Sequence, residues 1–316
     1  MIHLIELLIA NIIDEFDGFC LFETVKNCNE LKLNQYGKTF IMVKNGYIFL
    51  FQPYLPLIVS DKSLGFIDSY YSAYQCLYQR RNIVINYLKH RFPLSVVYRG
   101  WYKNLMILLG IGHVLRNTLV WIKPFGSFFC VEVIDLYNRK TILNSLVHAD
   151  YRNECKSCKI CRTQCPTAAI CDEGFERSKC LRQWQCSFAE FENKYKRQLL
   201  ENRILGCNLC QIQCPMNNGV FSRVLKPDTN YYSLFQLDNL AINTCLPNFR
   251  SSQYADVLGR NYAKPIKLLS FVLNAMLNNN PNYHAKTIQD CLNINNPNAK
   301  PLLKKYLQIC QLEEIM

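Results

Sequence analysis

Cysteines are the residues of this sequence whose type and spacing point most directly to chemistry. The run Cys155-x-x-Cys158-x-x-Cys161-x-x-x-Cys165-Pro166 opens a segment that closes with Cys207-x-x-Cys210-x-x-x-Cys214-Pro215, and Cys180 stands between them. Three thiolates at this step let a tight loop wrap one corner of a 4Fe–4S cube, while the fourth cysteine of such a run ligates the other cube. Each proline then turns the chain away without wasting an N–H donor. On this reading Cys155, Cys158 and Cys161 are completed by Cys214, and Cys207 and Cys210 by Cys165 and Cys180, giving two 4Fe–4S clusters. Paired C-x-x-C motifs also suit structural zinc, but zinc requires neither the third cysteine at the next step nor C-x-x-x-C-P at both ends. A disulfide framework fits less well, since no secretory signal stands out and the thiols must stay reduced to hold metal. Cys171 and Cys186 fall outside the ligand pattern, and Cys20, Cys130 and Cys245 read as small core residues.

From Cys155 through Glu176-Arg177-Ser178-Lys179-Cys180-Leu181 to Asn202-Arg203-Ile204-Leu205-Gly206-Cys207-Asn208-Leu209-Cys210-Gln211-Ile212-Gln213-Cys214-Pro215, the segment resembles the double-cluster domain of the epoxyqueuosine reductases. These are cobalamin-dependent relatives of the reductive dehalogenases that act in tRNA queuosine synthesis. The resemblance implies an oxidoreductase with cobalamin as a second cofactor, a ferredoxin or flavodoxin as electron donor, and tRNA as a partner. Leu109-Gly110-Ile111-Gly112-His113-Val114-Leu115-Arg116-Asn117-Thr118-Leu119 looks like the glycine turn of the family's corrinoid site, and Phe125-Gly126-Ser127 like the segment after it. Gly110, Gly112, Asn117 and Gly126 are thus the expected cobalamin contacts, because glycine lets backbone lie close to a flat macrocycle. A helix end followed by a β-turn would use the same two glycines. His113, beside the turn, could approach a corrin, although a hydrogen-bonded structural histidine is the commoner role.

The sequence departs from the family where substrate is protonated. The short Asp-Tyr-His-like acidic motif has no counterpart; Ile67-Asp68-Ser69-Tyr70-Tyr71-Ser72-Ala73-Tyr74 stands in its place, with Asp68 displaced. The dehalogenase relatives use a phenol, which makes Tyr70, Tyr71 and Tyr74 candidate catalytic acids, with Tyr74 and Tyr70 foremost. Ordinary amphipathic packing of a helix is the competing account.

The elements that must position these residues suggest an α+β fold in three parts: a cobalamin- and substrate-binding sheet-and-helix domain over 1–147, a ferredoxin-like double-cluster domain over 148–219, and a helical, HEAT-like region over 220–316. Residues 2–13 suit a helix. Residues 39–44 and 47–51 suit strands joined by Asn45-Gly46, a strong hairpin signal. A helix over about 70–90, a short strand at 95–98, a helix ending near Gly110, and strands near 117–122 and 127–135 follow. Residues 188–203 suit a charged amphipathic helix, and Asn217-Asn218-Gly219 marks a boundary. Helices are expected over 264–277, 285–291 and 301–311, with Gly259-Arg260-Asn261-Tyr262 ahead of the first of them.

Half of the 316 residues are apolar, enough for real cores, and 36 basic against 24 acidic residues give a formal charge of +12. Two clusters at about −2 each would bring this to about +8, still favouring an anionic partner such as nucleic acid. Residues 2–13 lack a basic flank and cleavage site, and no apolar run is long enough to span a bilayer, so the expected location is cytoplasmic. Two further readings stay open: an electron-transfer protein that keeps only the clusters, and a corrinoid-reducing or dehalogenase-like relative with another substrate.

Overall fold

The computed structural model describes residues 20–23, 38–139, 153–186, 198–220, 224–279 and 281–315. The helix expected over 2–13, and most of that over 188–203, lie outside them. The chain forms two compact units, made of the described residues of Met1–Leu55, Ser72–Gln164 and Cys210–Arg223, and of Pro56–Tyr71, Cys165–Leu209 and Val224–Met316. Neither is a continuous stretch, and both cut across the sequence blocks 1–147, 148–219 and 220–316.

The described strands, in chain order, are β1 (Cys20–Glu23), β2 (Lys38–Lys44), β3 (Tyr47–Pro53), β4 (Phe66–Ile67), β5 (Val96–Val97), β6 (His113–Val114), β7 (Val120–Trp121), β8 (Phe129–Asp135) and β9 (Arg203–Leu205). The first unit is built on an antiparallel sheet of order β1-β2-β3-β8-β5. Asn45 and Gly46 both take positive φ, 50° and 73°, so that Lys44 pairs directly with Tyr47. That is the two-residue turn whose twist matches the strands it joins. β3 is buried along its whole length, as a central strand should be when both faces are covered.

Alternation along these strands divides the work of the two faces. Phe49 and Phe51, opposite Val133 and Val131, pack with Tyr98, Leu105, Met106, Val120, Ile122 and Phe125 into one apolar core. Fully burying a phenylalanine is worth roughly 1.5–3 kcal/mol, so this face anchors the short helix Tyr102–Leu108 and the β6–β7 hairpin to the sheet. The other face carries polar groups. Thr39 pairs with Gln52, and Arg80, from the helix Tyr70–Leu88, donates to Thr39 Oγ1 at 2.7 Å and Gln52 Oε1 at 2.6 Å.

In the second unit β4 lies parallel to β9, and Tyr231 fixes the approach to β4: its hydroxyl donates to Gly65 O at 2.6 Å and accepts from Ile67 N at 3.0 Å. Helices follow over Thr229–Phe235, Leu237–Cys245, Ser251–Leu258, Pro265–Asn279, Pro281–Asn293 and Lys300–Ile315. The last three agree with the segments expected from sequence; the first three were not anticipated. The first two of these carry start signals, since Asp228 accepts from Tyr231 N and Gln236 from Asn239 N as N-caps. Polar residues between the apolar ones masked the short periodicity. Gly259, at φ 84°, ends Ser251–Leu258, so Gly259–Tyr262 is a helix exit before it is an approach to the next helix.

Candidate metal centre

Cys155 lies in the short helix Asn153–Ser157, Cys161 in Ile160–Thr163, Cys158 between them, and Cys214 just past the turn Leu209–Ile212. The structure brings these four together around a cavity of about 100 Å³, also lined by Leu115, Arg116, Asn117, Glu154, Pro215 and Met216. The space is several times the roughly 30 Å³ that one water occupies in the liquid. A single tetrahedral zinc with sulfurs at about 2.3 Å would leave no such hollow, whereas a polyatomic cluster needs one. The residues present fit a cluster.

The thiols report the same gathering. Cys161 is pushed up to about 11, by burial first and then by Cys214, Cys158 and Cys155, with Arg116 opposing. Cys214 is raised by burial, eased by the Met216 N–H and raised again by Cys155 and Cys158. Thiolates gathered this closely would need a compensating cationic group, which the iron of a cluster would supply.

The β6–β7 hairpin holds both cysteine stretches. Arg116 Nε donates to Cys155 O and its Nη2 to Lys156 O, each at 3.1 Å. Asn117 Nδ2 donates to Cys210 O at 3.0 Å while its Oδ1 accepts from Leu119 N. Trp121 Nε1 donates to Met216 O at 2.8 Å. The loop is stiff: Thr118 has φ 63°, a left-handed conformation rarely taken by a β-branched residue, and Lys103 donates to its carbonyl at 2.6 Å. Below it, Asn217 is 2 % exposed and donates to Gln211 O at 2.8 Å and Ser127 Oγ at 3.0 Å, while its Oδ1 accepts from Ser127 N. Gln211 Nε2 donates to Ser127 O at 2.9 Å.

This network absorbs most residues expected to meet a corrin. Asn117 holds the Cys210 loop. A Cβ on Gly126 would sit 2.5 Å from Asn217 Oδ1, so that glycine admits the asparagine. A Cβ on Gly112 would sit 2.6 Å from Ile122 Cγ2 and 2.7 Å from Val120 Cγ1, so that glycine admits its own hairpin. Only Gly110, at φ 64° with nothing within 4 Å of its Cβ position, leaves open space. His113 is exposed in β6.

In the second unit, Cys180 lies beside Cys207 closely enough to push its thiol up, though burial is the main cause and the Leu209 N–H and Arg203 oppose it. Cys165 Sγ accepts from Ala169 N at 3.3 Å. Cys210, the remaining member of the expected second set, belongs to the first unit. Cys171 donates to Gly174 O at 3.3 Å, a turn contact, and the side chain of Cys186 lies outside the described residues. Gly206 accommodates Asp68, whose side chain a Cβ would strike. Asp68 is fully buried and its carboxyl is raised by burial, with Arg182 and the Tyr70 N–H opposing. Its Oδ1 accepts from Tyr70 N, and its Oδ2 has no hydrogen-bond partner among the described residues. The Arg182 guanidinium stacks 4.0 Å from the Tyr70 ring and 5.3 Å from that of Tyr71.

Tyr74 lies on the polar face of the sheet and donates to Glu132 Oε1 at 2.8 Å; Arg81 pairs with Glu132 Oε2 at 2.9 Å. Tyr102 is pushed up to about 12, by burial first and then by the Glu132 carboxylate. Sequence reasoning missed Glu132, Arg81, Tyr102, Arg116, Gln211 and Asn217. One signal was present: Glu132 is an acid in the middle of the otherwise apolar run 129–134, where burial demands partners.

Residues 154–217 match the family model of a 4Fe–4S double cluster binding domain. The chain is similar to an epoxyqueuosine reductase of Listeria monocytogenes, 31 % identical over 124 residues that cover 38 % of this chain and 31 % of that protein. One from Leadbetterella byssophila is 32 % identical over 112 residues, 34 % of each chain. The sequence match therefore spans about a third of these curated relatives. The fold is shared much further. The solved epoxyqueuosine reductase carrying an epoxyqueuosine-modified tRNA stem loop superposes with a TM-score of 0.57 at 15 % identity, over 98 % of this chain and 99 % of that one. The Streptococcus thermophilus enzyme gives 0.57 at 16 % identity, over 94 % and 86 %.

Proposed function

We propose that this chain, a divergent relative of the epoxyqueuosine reductases, is an iron–sulfur oxidoreductase that reduces a modified nucleoside in tRNA, with epoxyqueuosine as the substrate. The observation that carries the reading is the cavity framed by Cys155, Cys158, Cys161 and Cys214, inside a segment that matches a double-cluster domain within a shared fold. Cys165, Cys180, Cys207 and Cys210 are proposed to hold the second cluster. When bound, the clusters supply single electrons at low potential. The chain's own part is to hold four thiolates in a mostly apolar hollow, to tie the two cysteine stretches with Arg116, Asn117 and Asn217, and to keep water away. A ferredoxin or flavodoxin is the proposed donor, and a reducing compartment, the cytoplasm, is where these thiols stay available.

Cobalamin enters this reading through the family resemblance. Of the four residues expected to contact it, Gly112, Asn117 and Gly126 are engaged within the protein, and only Gly110 presents open backbone. These residues do not by themselves form a face for a corrin, so no step is assigned to it. The same observation favours a second reading, an electron-transfer protein that keeps the clusters alone. Tyr74 and Tyr70 remain the proposed acids, with Tyr74 bonded to Glu132 and Tyr70 under Arg182.

The test is anaerobic incubation of the protein with epoxyqueuosine-modified tRNA, cobalamin and a low-potential donor, followed by nucleoside mass spectrometry. Queuosine formation that fails in Tyr74→Phe supports both the reaction and a phenol as its acid. Full iron content with no corrin absorbance and no turnover supports the electron-transfer protein.

A further inference from the structure

We propose that Arg116 is the fixed counter-charge of the cluster framed by Cys155, Cys158, Cys161 and Cys214, and that it sets the potential at which this cluster takes up its electron. The inference rests on the two-cluster reading above and goes beyond it, because ligand spacing says nothing about what tunes a cluster.

Three observations carry it. Arg116 lines the cavity itself. Its guanidinium is held in place by two separate carbonyls, Cys155 O and Lys156 O, both at 3.1 Å and both in the ligand loop. The turn that presents it is stiffened by Thr118 at φ 63° and tied down by Lys103 and Asn117. A cation so anchored cannot swing into solvent as a surface lysine does. The rest of the wall is largely apolar, with Leu115 and Met216 packed against Cys155 and Cys214 and Trp121 alongside, so few mobile dipoles compete with it. Glu154 is the acid on the same wall; it is exposed, where solvent screens its charge. Lys156 and Lys159 are likewise exposed.

The electron balance is simple. A low-potential one-electron donor of the ferredoxin or flavodoxin class gives one electron. The cluster with its four thiolates passes from a charge of about −2 to about −3, and no bond or proton is exchanged. An arginine beside it stabilises the more negative state more strongly, which raises the reduction potential. Charge in the protein around a cluster is one of the levers by which such potentials are set.

The experiment compares wild type, Arg116→Gln and Arg116→Lys as anaerobically reconstituted full chains, titrated with dithionite and followed by EPR, with iron counted in each. Cys214→Ser, which removes the cluster in question, identifies its couple. In Arg116→Gln the reduced-to-oxidised ratio of that couple at fixed potential should fall about tenfold, equal to about 59 mV for one electron. Arg116→Lys, which keeps the charge but not both carbonyl bonds, should stay within about twofold of wild type, and the second couple should not move in either. Loss of about four irons in Arg116→Gln with all retained in Arg116→Lys would also support a need for the charge. An unmoved couple in Arg116→Gln at full iron content overturns the proposal. Equal shifts in both variants, or equal loss of iron, would reduce Arg116 to a holder of the loop. A wild type lacking about eight irons would instead remove the two-cluster reading itself.

Discussion

The first unit contains two polar assemblies, and they were built in opposite ways. Around the cysteine cavity, three of the four sulfurs come from one seven-residue stretch, so local chain geometry already curves them about a common centre. On the polar face of the sheet, Tyr74, Arg81 and Glu132 come from one helix and a strand, and nothing in their spacing announces that they meet. The cavity is a hollow whose lining is tied together at its rim, by Arg116 to Cys155 O, and leaves its centre open. The sheet face is closed, its carboxylate bonded to a phenol and a guanidinium. A hollow of this kind has room to receive a group, whereas the sheet face already satisfies its own carboxylate.

The largest break in that contrast comes from the ligands. Cys214→Ser should cost about half of roughly eight irons and sulfides per chain, whereas Cys171→Ser should cost none, as counted by iron and acid-labile sulfide assays. Equal losses would mean that the cavity is not a cluster site. Next in size is Asn217→Ala, which strips partners from buried Ser127 and Gln211. It should destabilise the protein by about 3 kcal/mol in chemical denaturation and loosen iron retention, since each orphaned buried group costs about 1–3 kcal/mol. Gly112→Val should cost about 1–3 kcal/mol by overpacking against Ile122 and Val120, with or without cobalamin. A loss of corrin binding at unchanged stability would instead restore Gly112 as a cofactor contact.

The sheet face should respond more mildly. Tyr74→Phe removes one bond to a carboxylate that keeps Arg81, an expected loss of about 1.5 kcal/mol measurable by denaturant titration. The last effect is alkaline. Tyr102, raised to about 12 by burial and by Glu132, binds its proton more tightly folded than unfolded. Its contribution is therefore complete below about pH 10, the unfolded value, and lost as pH rises through about 12. Phenolate absorbance in the folded protein should show late-titrating tyrosines, Tyr231 among them, and Tyr102→Phe should remove one of these.

Much of the framework was legible in the sequence. Asn45-Gly46 announced its hairpin because few residues tolerate two successive positive φ angles, and the long helix from Tyr70 and the last three helices showed their periodicity. The three helices over 229–258 were not legible, because they are short and their apolar residues are interrupted by Asn, Asp and Thr. At the site, Gly110, Gly112 and Gly126 left the reading open for a physical reason. A glycine signals only that something approaches closely; it does not say whether that something is a cofactor or the protein's own Asn217, Ile122 or Val120.

What the sequence by itself determined was the chemistry of the cysteine segment. Ligand spacing is a local property, fixed by bond lengths and tight turns, and it survives without knowledge of the rest of the chain. What only the tertiary structure decided was which residues serve that chemistry. Arg116, Asn117 and Asn217 reach the cysteine loops from 39, 93 and 6 residues away in the chain. A hydrogen bond depends on distance in space, so the burial that brings these groups together, and not their order along the chain, makes each of them part of the site.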